Sequence, residues 1–557
     1  MTANPGTWWP KSLECLARYD RRTFASDLIA GLTVGLVALP LAMAFAISSG
    51  VPPQAGLYCA MIAGFLISAL GGSRTQIGGP TGAFVVVVSG IVAQHGLDGL
   101  FTCTIIAGVL LVILGLTGMG TAVDYIPRPV IVGFTNGIAV LIASTQIKDL
   151  LGLDVPHVPG MFVPRMIQLA RALPTVSLPA CALAAGSLAI ILVGNRYTRR
   201  VPGTVLALFA GTLVAVALHL PVETIGTRFG GVPAGLPPFH PPRFRPELFQ
   251  VLLAPALTVA MLGAIESLMS AVVADRMTGD RHNPNVELVA QGVANIVTPM
   301  FGGLPATGAI ARTATNIRSG ARTPVAGMIH ALTLMAILAF AAPYAQFVPL
   351  PILAAVLLVV AAHMGDWEEI PELLKLSRAD ISVWAVTFAL TVLADLTVAV
   401  EAGMILAALL FIRKVAATTT VSEVTEEDIE EGRVHILQGR AIPEYATVFR
   451  IHGPFLFGST DKLDVVADRA AELPPVVILR LRNMTAIDAT GMRALEDLAD
   501  RLQALGRTLI LCGARAQPAR LMSQAEFDAH IGHENICANV QSALDRARAI
   551  HAAAATG

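Results

Sequence analysis

The amino-acid sequence predicts a polytopic α-helical membrane protein of about fourteen segments, followed by a small soluble α/β domain. Three observations predict it. Hydrophobic residues make up 54% of the 557 positions and charged residues only 14%, at a mean hydropathy of +0.67; an average soluble domain carries about 25% charge. From Asp27 to about Val415 one apolar run follows another, broken by Gly, Pro and short charged loops. After Thr420 the composition changes abruptly: an acidic stretch reaches Arg433, and beyond it apolar residues alternate with charge.

The same composition excludes several classes. It is too apolar for a disordered chain. Lys plus Arg is 38 and Asp plus Glu is 39, a formal net charge of −1, which gives nucleic acid no basic surface to bind. The six cysteines (Cys15, Cys59, Cys103, Cys181, Cys512 and Cys537) show no CxxC pair or metal spacing, so they read as small hydrophobes, and neither metal nor cofactor is expected. No nucleophile–base constellation points to an enzyme. The segment 1–26 is polar and basic, with Lys11, Arg18, Arg21 and Arg22. It lacks the apolar run of a cleavable signal peptide and reads as a cytoplasmic N-terminal segment.

A spanning helix needs about 20 apolar residues. Clear candidates are 28–47, 56–70, 100–118, 130–147, 177–194, 203–220, 251–274, 323–342, 380–394 and 398–412. Shorter candidates, interrupted by Gly or Pro, lie at 76–94, 286–300, 306–318 and 349–363. The membrane part is thus 27–416, in two halves of about 27–220 and 251–416. A linker, 417–433, and the soluble domain, 434–557, follow. Threading from a cytoplasmic N-terminus leaves Arg21/Arg22, Arg74, Arg128, Arg196/Arg199/Arg200, Arg276/Arg281, Arg318/Arg322, Lys375/Arg378 and Arg413/Lys414 inside. Lys148, Arg165, Arg171, Arg228, Arg243 and Arg245 fall outside, mostly in two longer loops. That Lys/Arg bias places both termini in the cytoplasm of a multi-pass inner-membrane (plasma-membrane) protein.

One motif occurs twice. Gly78-Gly79-Pro80-Thr81-Gly82-Ala83 returns as Gly302-Gly303-Leu304-Pro305-Ala306-Thr307-Gly308-Ala309, the two prolines 225 residues apart. Each copy opens a short apolar segment. Gly/Pro-interrupted segments at matching places in two halves point to a transporter site at an inverted-repeat interface. A half-helix beginning at mid-membrane leaves about four N–H groups unpaired. Its aligned dipoles place roughly half a positive charge there. Two such heads facing each other make an anion site from backbone donors. Thr81 and Thr307 can add hydroxyls, and Gly82 and Gly308 allow close approach. The competing reading is a pair of helix breaks that serve packing alone.

Glu266 stands alone in an apolar run. An ionisable group there is costly and marks a functional hypothesis, here proton coupling; the alternative is a structural carboxylate held by helix N-termini or an Arg. Arg312 lies seven residues after Pro305, about 10 Å of helix. It either adds a fixed positive charge to the anion path, pairs with Glu266, or snorkels to the interface. His330 reads as a satisfied packing residue. Asp395 and Glu401 read as charges flanking a turn, and Asp275, Arg276, Asp280 and Arg281 as a solvated loop.

In the soluble part, 446–452, 476–482 and 507–512 read as strands, and 459–472, 490–505, 515–525 and 536–553 as helices, an α/β alternation. Asp488 stands where it can cap the helix after the second strand. No phosphate-binding loop occurs, so direct ATP use is not indicated.

The stretches 27–44 and 51–58, the Gly-Gly-Pro-Thr repeat, 264–267 and 309–316 resemble the SulP sulfate permease family of anion transporters, related to solute carrier 26. The piece 476–491, a buried strand running into Asp-x-Thr-Gly, resembles the hallmark of a STAS domain. The resemblance covers nearly the whole chain. It implies seven-plus-seven inverted repeats, a core moving against a gate, and an anion between the third and tenth segments. Carried over, that site falls on Thr81, Gly82, Ala83 and Phe84, on Ala306, Thr307, Gly308 and Ala309, on Arg312, and near Leu41 and Glu266. Many relatives carry Gln or Glu where Leu41 follows Pro40, and sodium-coupled bicarbonate members carry Asp where this chain has Ser270. Both departures argue against sodium and leave Glu266 as the proton carrier. The first segment resembles the C4-dicarboxylate branch. Thr490 holds the position phosphorylated in anti-sigma-factor antagonists, which makes Asp488 and Thr490 a candidate regulatory pair.

The expectation is therefore a secondary active, proton-coupled transporter of sulfate or a small dicarboxylate, a homodimer in the lipid bilayer, whose STAS domain serves dimerisation, folding or a cytoplasmic partner. The alternatives are a bicarbonate or other anion exchanger or uniporter, and a membrane signalling protein acting through its STAS domain.

Overall fold

A chain this apolar satisfies its backbone inside a bilayer only within helices, and the computed structural model is built that way. It describes residues 8–17, 19–120, 127–155, 158–197, 202–239, 246–394, 396–424 and 442–556. Arg18, Arg199, Arg200, Arg243, Arg245 and Asp395, and the stretch 425–441 that holds most of the expected linker, lie outside the described residues. The chain divides into two units, 1–405 and 406–557.

In the first unit, α1 (Lys11–Leu16), α2 (Arg21–Ser48) and α3 (Pro53–Leu70) precede a two-residue strand, β1 (Gly78–Gly79). There follow α4 (Ala83–Leu116), α5 (Arg128–Leu151), α6 (Phe162–Ala172), α7 (Leu178–Tyr197), α8 (Gly203–Ala217) and α9 (Ile225–Phe229). Gly96, at φ 67°, breaks α4 into two arms. The later half holds α10 (Phe249–Thr278), α11 (Pro284–Val297), a second short strand β2 (Thr307–Gly308), α12 (Ile310–Arg318) and α13 (Val325–Ala345). It ends with α14 (Leu350–Met364), α15 (Glu369–Leu373), α16 (Arg378–Leu393) and the first part of α17 (Leu396–Ala417), whose remainder belongs to the second unit.

Each apolar run picked out in the sequence falls on one of these helices. Among the described residues, seven are long and apolar enough to cross a membrane: α2, α3, α4, α5, α10, α13 and the stretch Leu350–Leu373 that joins α14 to α15. A further pair, α6 and α7, is bent by 114°. The Gly/Pro-interrupted α11 and α12 reach only 14 and 9 residues. Glu401 lies within α17 rather than at a turn, because α16 already ends at Leu393.

Small residues let the helices touch, as they must where lipid competes equally for apolar side chains. A methyl group on Gly56 of α3 would fall 1.9 Å from the Ala42 carbonyl oxygen of α2. Gly108 of α4 and Gly292 of α11 abut in the same way, each methyl position within 2.7 Å of the other's carbonyl oxygen. Two buried carboxylates then join the halves reciprocally. Asp27 of α2 accepts from the Arg322 and Thr323 N–H groups at 2.7 and 3.2 Å and from the Thr323 hydroxyl. Glu287 of α11 accepts from the Gly72 N–H at 2.9 Å and from Gln291 Nε2 at 2.9 Å.

The second unit holds a five-stranded sheet in the order β3-β4-β5-β6-β7. Strand β3 (Thr420–Glu423) is antiparallel to β4 (Ala446–Phe455); β5 (Val476–Ile487), β6 (Thr508–Cys512) and β7 (Ile536–Cys537) continue parallel. The sheet begins inside 417–433, the stretch that composition assigns to the linker. Helices α18 (Asp464–Ala467), α19 (Ala489–Ala504), α20 (Ala516–Gln524), α21 (Phe527–Ile531) and α22 (Val540–Thr556) accompany it. Phe449, Leu479 and Leu511 pack with Leu495 and Leu502 of α19; Val448, Ile478 and Ile510 pack with Ala543 and Leu544 of α22. Burial on both faces explains why these strands read as continuous apolar runs.

Gly56→Ala is expected to cost about 1–3 kcal/mol or more through overpacking against backbone. Gly90→Ala, where a methyl meets nothing within 4 Å, serves as the neutral control; thermal melting of the two variants checks this. In the second unit, burial pushes the Glu423 carboxyl up, but hydrogen bonds from Arg469 and Thr447 outweigh it and hold the group below the usual glutamate range. A depressed carboxylate stabilises above its unfolded titration point and loses that contribution as pH falls through the folded one. Glu423→Gln should therefore speed amide exchange in β3 at neutral pH by the equivalent of under about 1 kcal/mol, since the pair is partly exposed, and the difference from wild type should vanish in acid.

Candidate functional site

The two copies of the repeated motif meet. Strand β1 pairs antiparallel with β2, Gly78 opposite Gly308 and Gly79 opposite Thr307. Glycine is needed for this approach. A methyl on Gly308 would fall 1.7 Å from Gln76 Nε2, and Gly79, at φ 146°, has Arg312 Nη1 2.7 Å from its methyl position. After each strand a helix starts, α4 at Ala83 and α12 at Ile310. Neither N-cap residue, Gly82 nor Ala309, has a side chain that accepts from the first N–H groups of its helix.

Other elements hold the two motifs in place. Asn295 of α11 brackets Ala306, donating to its carbonyl and accepting from its N–H, both at 2.8 Å. Ser267 of α10 accepts from the Gly308 N–H at 3.1 Å. Thr307 donates to the Gly263 carbonyl at 3.0 Å and lies 2.7 Å from the Ser267 hydroxyl. A hydroxyl has one proton, so the Thr307 donor is already committed to Gly263. Thr313 of α12 accepts from the Ile77 N–H at 3.0 Å, and its hydroxyl meets that of Ser270 at 3.0 Å. The Ala309 N–H donates to the Ile77 carbonyl at 2.8 Å.

Charge is placed on this frame from both sides. The Thr81 hydroxyl lies 2.7 Å from Glu266 Oε2. Arg312 is 3% exposed; its Nη2 donates to the Pro80 carbonyl, and its Nη1 has no hydrogen-bond partner. Arg312 and Glu266 thus each engage the first motif, and no contact within 4.0 Å joins them among the described residues. Ala83 and Phe84 are buried in the first turn of α4. Around a methyl position on Gly82 stand Ile142 of α5 at 2.7 Å, Met364 of α14 at 3.2 Å and Phe45 of α2 at 3.3 Å.

The structure therefore brings together Thr81, Gly82, Ala83, Phe84, Ala306, Thr307, Gly308, Ala309, Arg312 and Glu266. Leu41 packs in the apolar cluster of α2, α3, α13 and α14, and Phe45, one turn on, reaches Gly82 instead. Sequence reasoning missed Phe45, Ile142 and Met364, which carry no signal beyond being apolar. It also missed Glu287, Gln291 and Asn295, whose four-residue spacing through an apolar helix was a readable sign. His330 is fully buried, its ring against Gly64 and within reach of the Gly327 backbone. Of the four residues read as a solvated loop, Asp275 and Arg276 lie in the last turn of α10, Arg276 and Arg281 are exposed, Asp275 binds His282 at 2.7 Å and Asp280 binds Arg74 at 3.1 Å. In the second unit, Asp488 caps α19 through the Gly491 N–H at 2.8 Å and also accepts from the Phe457 N–H at 3.0 Å; Thr490 is exposed beside it.

The family model of the sulfate permease family matches residues 24–387. The chain belongs to that family. A STAS domain model matches residues 440–543. Members of the family are transporters, not enzymes, and the chain is a multi-pass membrane protein. The putative sulfate transporter YvdB of Bacillus subtilis is 41% identical over 519 residues, covering 93% of this chain and 96% of its own length. The bicarbonate transporter BicA of a Picosynechococcus species is 29% identical over 540 residues, covering 94% and 95%. Among solved structures, murine Solute Carrier 26 family member A9 superposes at a TM-score of 0.85 over 97% of this chain and 94% of its own, at 18% identity, and shares the fold. The transmembrane domain of a cyanobacterial BicA gives 0.62 at 32% identity, over 70% of this chain and 98% of its own.

Asn295→Ala is expected to leave the Ala306 N–H and C=O unsatisfied and to lower stability by about 2–4 kcal/mol. Thermal melting checks it, with Asn295→Asp, which keeps the acceptor alone, falling between.

Proposed function

We propose that the chain is a secondary active transporter of the plasma membrane, with both termini cytoplasmic, that moves sulfate or a small dicarboxylate together with protons by alternating access. The observation that carries the reading is the meeting of two uncapped helix heads beside a buried arginine with a free donor nitrogen. Helix heads favour anions, and Arg312 adds a full charge whose second donor group is uncommitted. Glu266, in contact with Thr81 at the head of α4, is the proposed proton carrier. Ser270, bonded to Thr313, offers no second carboxylate for sodium. Two strands paired antiparallel, each leading into a helix, support seven-plus-seven inverted repeats. The printed name of the 41% relative favours sulfate; a homodimer, the linker near 417–433 and a regulatory role for Asp488 and Thr490 belong to the same proposal.

One second reading has its own support. The BicA relatives are named for bicarbonate, and backbone dipoles receive bicarbonate as readily as sulfate.

Uptake into proteoliposomes tests both, comparing labelled sulfate, bicarbonate and succinate with and without an inward proton gradient. The expected result is uptake of sulfate or succinate that rises with the gradient and loses that rise in Glu266→Gln. Uptake indifferent to the gradient, or of bicarbonate alone, overturns proton-coupled sulfate or dicarboxylate transport.

A further inference from the structure

Helix α1 is built inside out. Its buried residues are polar: Lys11 and Ser12 are 5% and 4% exposed. The apolar ones face outward: Trp8 and Trp9 just before it are 54% and 66% exposed, and Leu13 and Leu16 are 51% and 49%. A helix facing water has the opposite arrangement. The polar side is anchored at the end of α3. The Lys11 N–H donates to the Gly71 carbonyl at 3.0 Å, the Ser12 hydroxyl donates to the Ala69 carbonyl, and Lys11 Nζ lies 3.1 Å from Glu14 and 3.8 Å from Asp280. The apolar side is left uncovered by the described residues.

We infer that Trp8, Trp9, Leu13 and Leu16 lie in the interfacial layer of the bilayer, with Arg21 and Arg22 on the headgroups of anionic phospholipid. The height of the segment argues for lipid. Helix α2 starts at Arg21, and its outward row of Phe24, Leu28, Ile29, Leu32 and Leu36 is exposed along a spanning helix, so it faces acyl chains. That row begins two residues beyond Arg22, which puts the two arginines at the membrane rim. The link from α1 is short, and the Tyr19 ring within it meets the Phe24 ring edge-on at 6.5 Å. The outward face of α1 therefore continues the lipid-facing surface of α2. Charge fits as well: Arg21 and Arg22 are exposed and form no ion pair among the described residues. Tryptophan paired with basic residues at such a height matches the aromatic belt and the polybasic attraction to anionic leaflets. An interfacial helix binds through its apolar face plus this attraction.

The consequence reaches inward. Helix α1 grips Gly71, the next residue Gly72 is held by Glu287, and the chain then enters β1. The lipid surface thus supports the corner from which the first motif starts.

Fluorescence of the full chain in nanodiscs tests the inference. Emission of wild type minus that of Trp8→Phe/Trp9→Phe isolates the N-terminal pair. In phosphatidylglycerol brominated at shallow acyl carbons, that difference emission should be strongly quenched. Deep bromination should quench it less, and aqueous iodide should barely reach it. Replacing phosphatidylglycerol with phosphatidylcholine, or substituting Arg21→Gln/Arg22→Gln, should weaken the quenching. Iodide quenching without lipid quenching overturns the inference, since the pair then faces water. Protection from both quenchers overturns it too, because a protein surface then covers α1. Equal quenching in both lipids overturns the anionic-headgroup assignment.

Discussion

The structure depends on how backbone is satisfied where the chain leaves its helices at β1 and β2. Lipid offers no hydrogen bonds, so each exposed N–H or C=O there would cost several kcal/mol. The β1–β2 pair answers this, with each motif supplying the other's partner. Side chains complete the rest: Thr313 for the Ile77 N–H, Ser267 for the Gly308 N–H, and Asn295 for both groups of Ala306. The groups left over are the leading N–H donors of α4 and α12, which no side chain caps. The site consists of what the surrounding structure leaves unsatisfied.

Charge follows the same logic. Had Arg312 and Glu266 paired directly, the site would be neutral and closed to an anion. Each instead engages a neutral group of the first motif, Pro80 or Thr81. A buried guanidinium held mainly by a carbonyl keeps its desolvation cost largely uncompensated, and on the proposed reading an arriving anion removes that cost. A proton on Glu266 would change the local charge by one unit beside the same helix head. This is the simplest way for a single contact, Thr81 to Glu266, to link proton and anion.

Legibility in the sequence followed the physics of each feature. Helices of the first unit were readable because apolar length alone decides them, and the paired motif because Gly and Pro at matching positions have few other uses in a membrane. That β1 and β2 pair as strands was not readable: two residues carry no periodicity. Asn295 and Glu287 carry no isolated-charge signal, because they lie with Gln291 in a stripe of buried polar residues along α11. Strand β3 escaped because the acidic residues after it dominate the local composition, although Thr420 to Glu423 itself has the β-branched residues of a strand.

Selectivity is better sought in the apolar side chains around the site than in its donors. Helix heads and an arginine attract any small anion, and differences among sulfate, bicarbonate and a dicarboxylate at such donors amount to only a few kcal/mol. Ile142, Met364 and Phe45 stand against Gly82 close enough that one added methyl would crowd them. They come from α5, α14 and α2, so no single helix sets the space. On the proposed reading, an anion lodged at the head of α4 must fit beneath all three, and any movement of α5 or α14 relative to α4 changes that space. On the proposed reading, the residues that limit substrate size are therefore also those that must separate for substrate to leave. Size selection and access are then properties of one apolar contact, while the polar groups beneath it stay fixed.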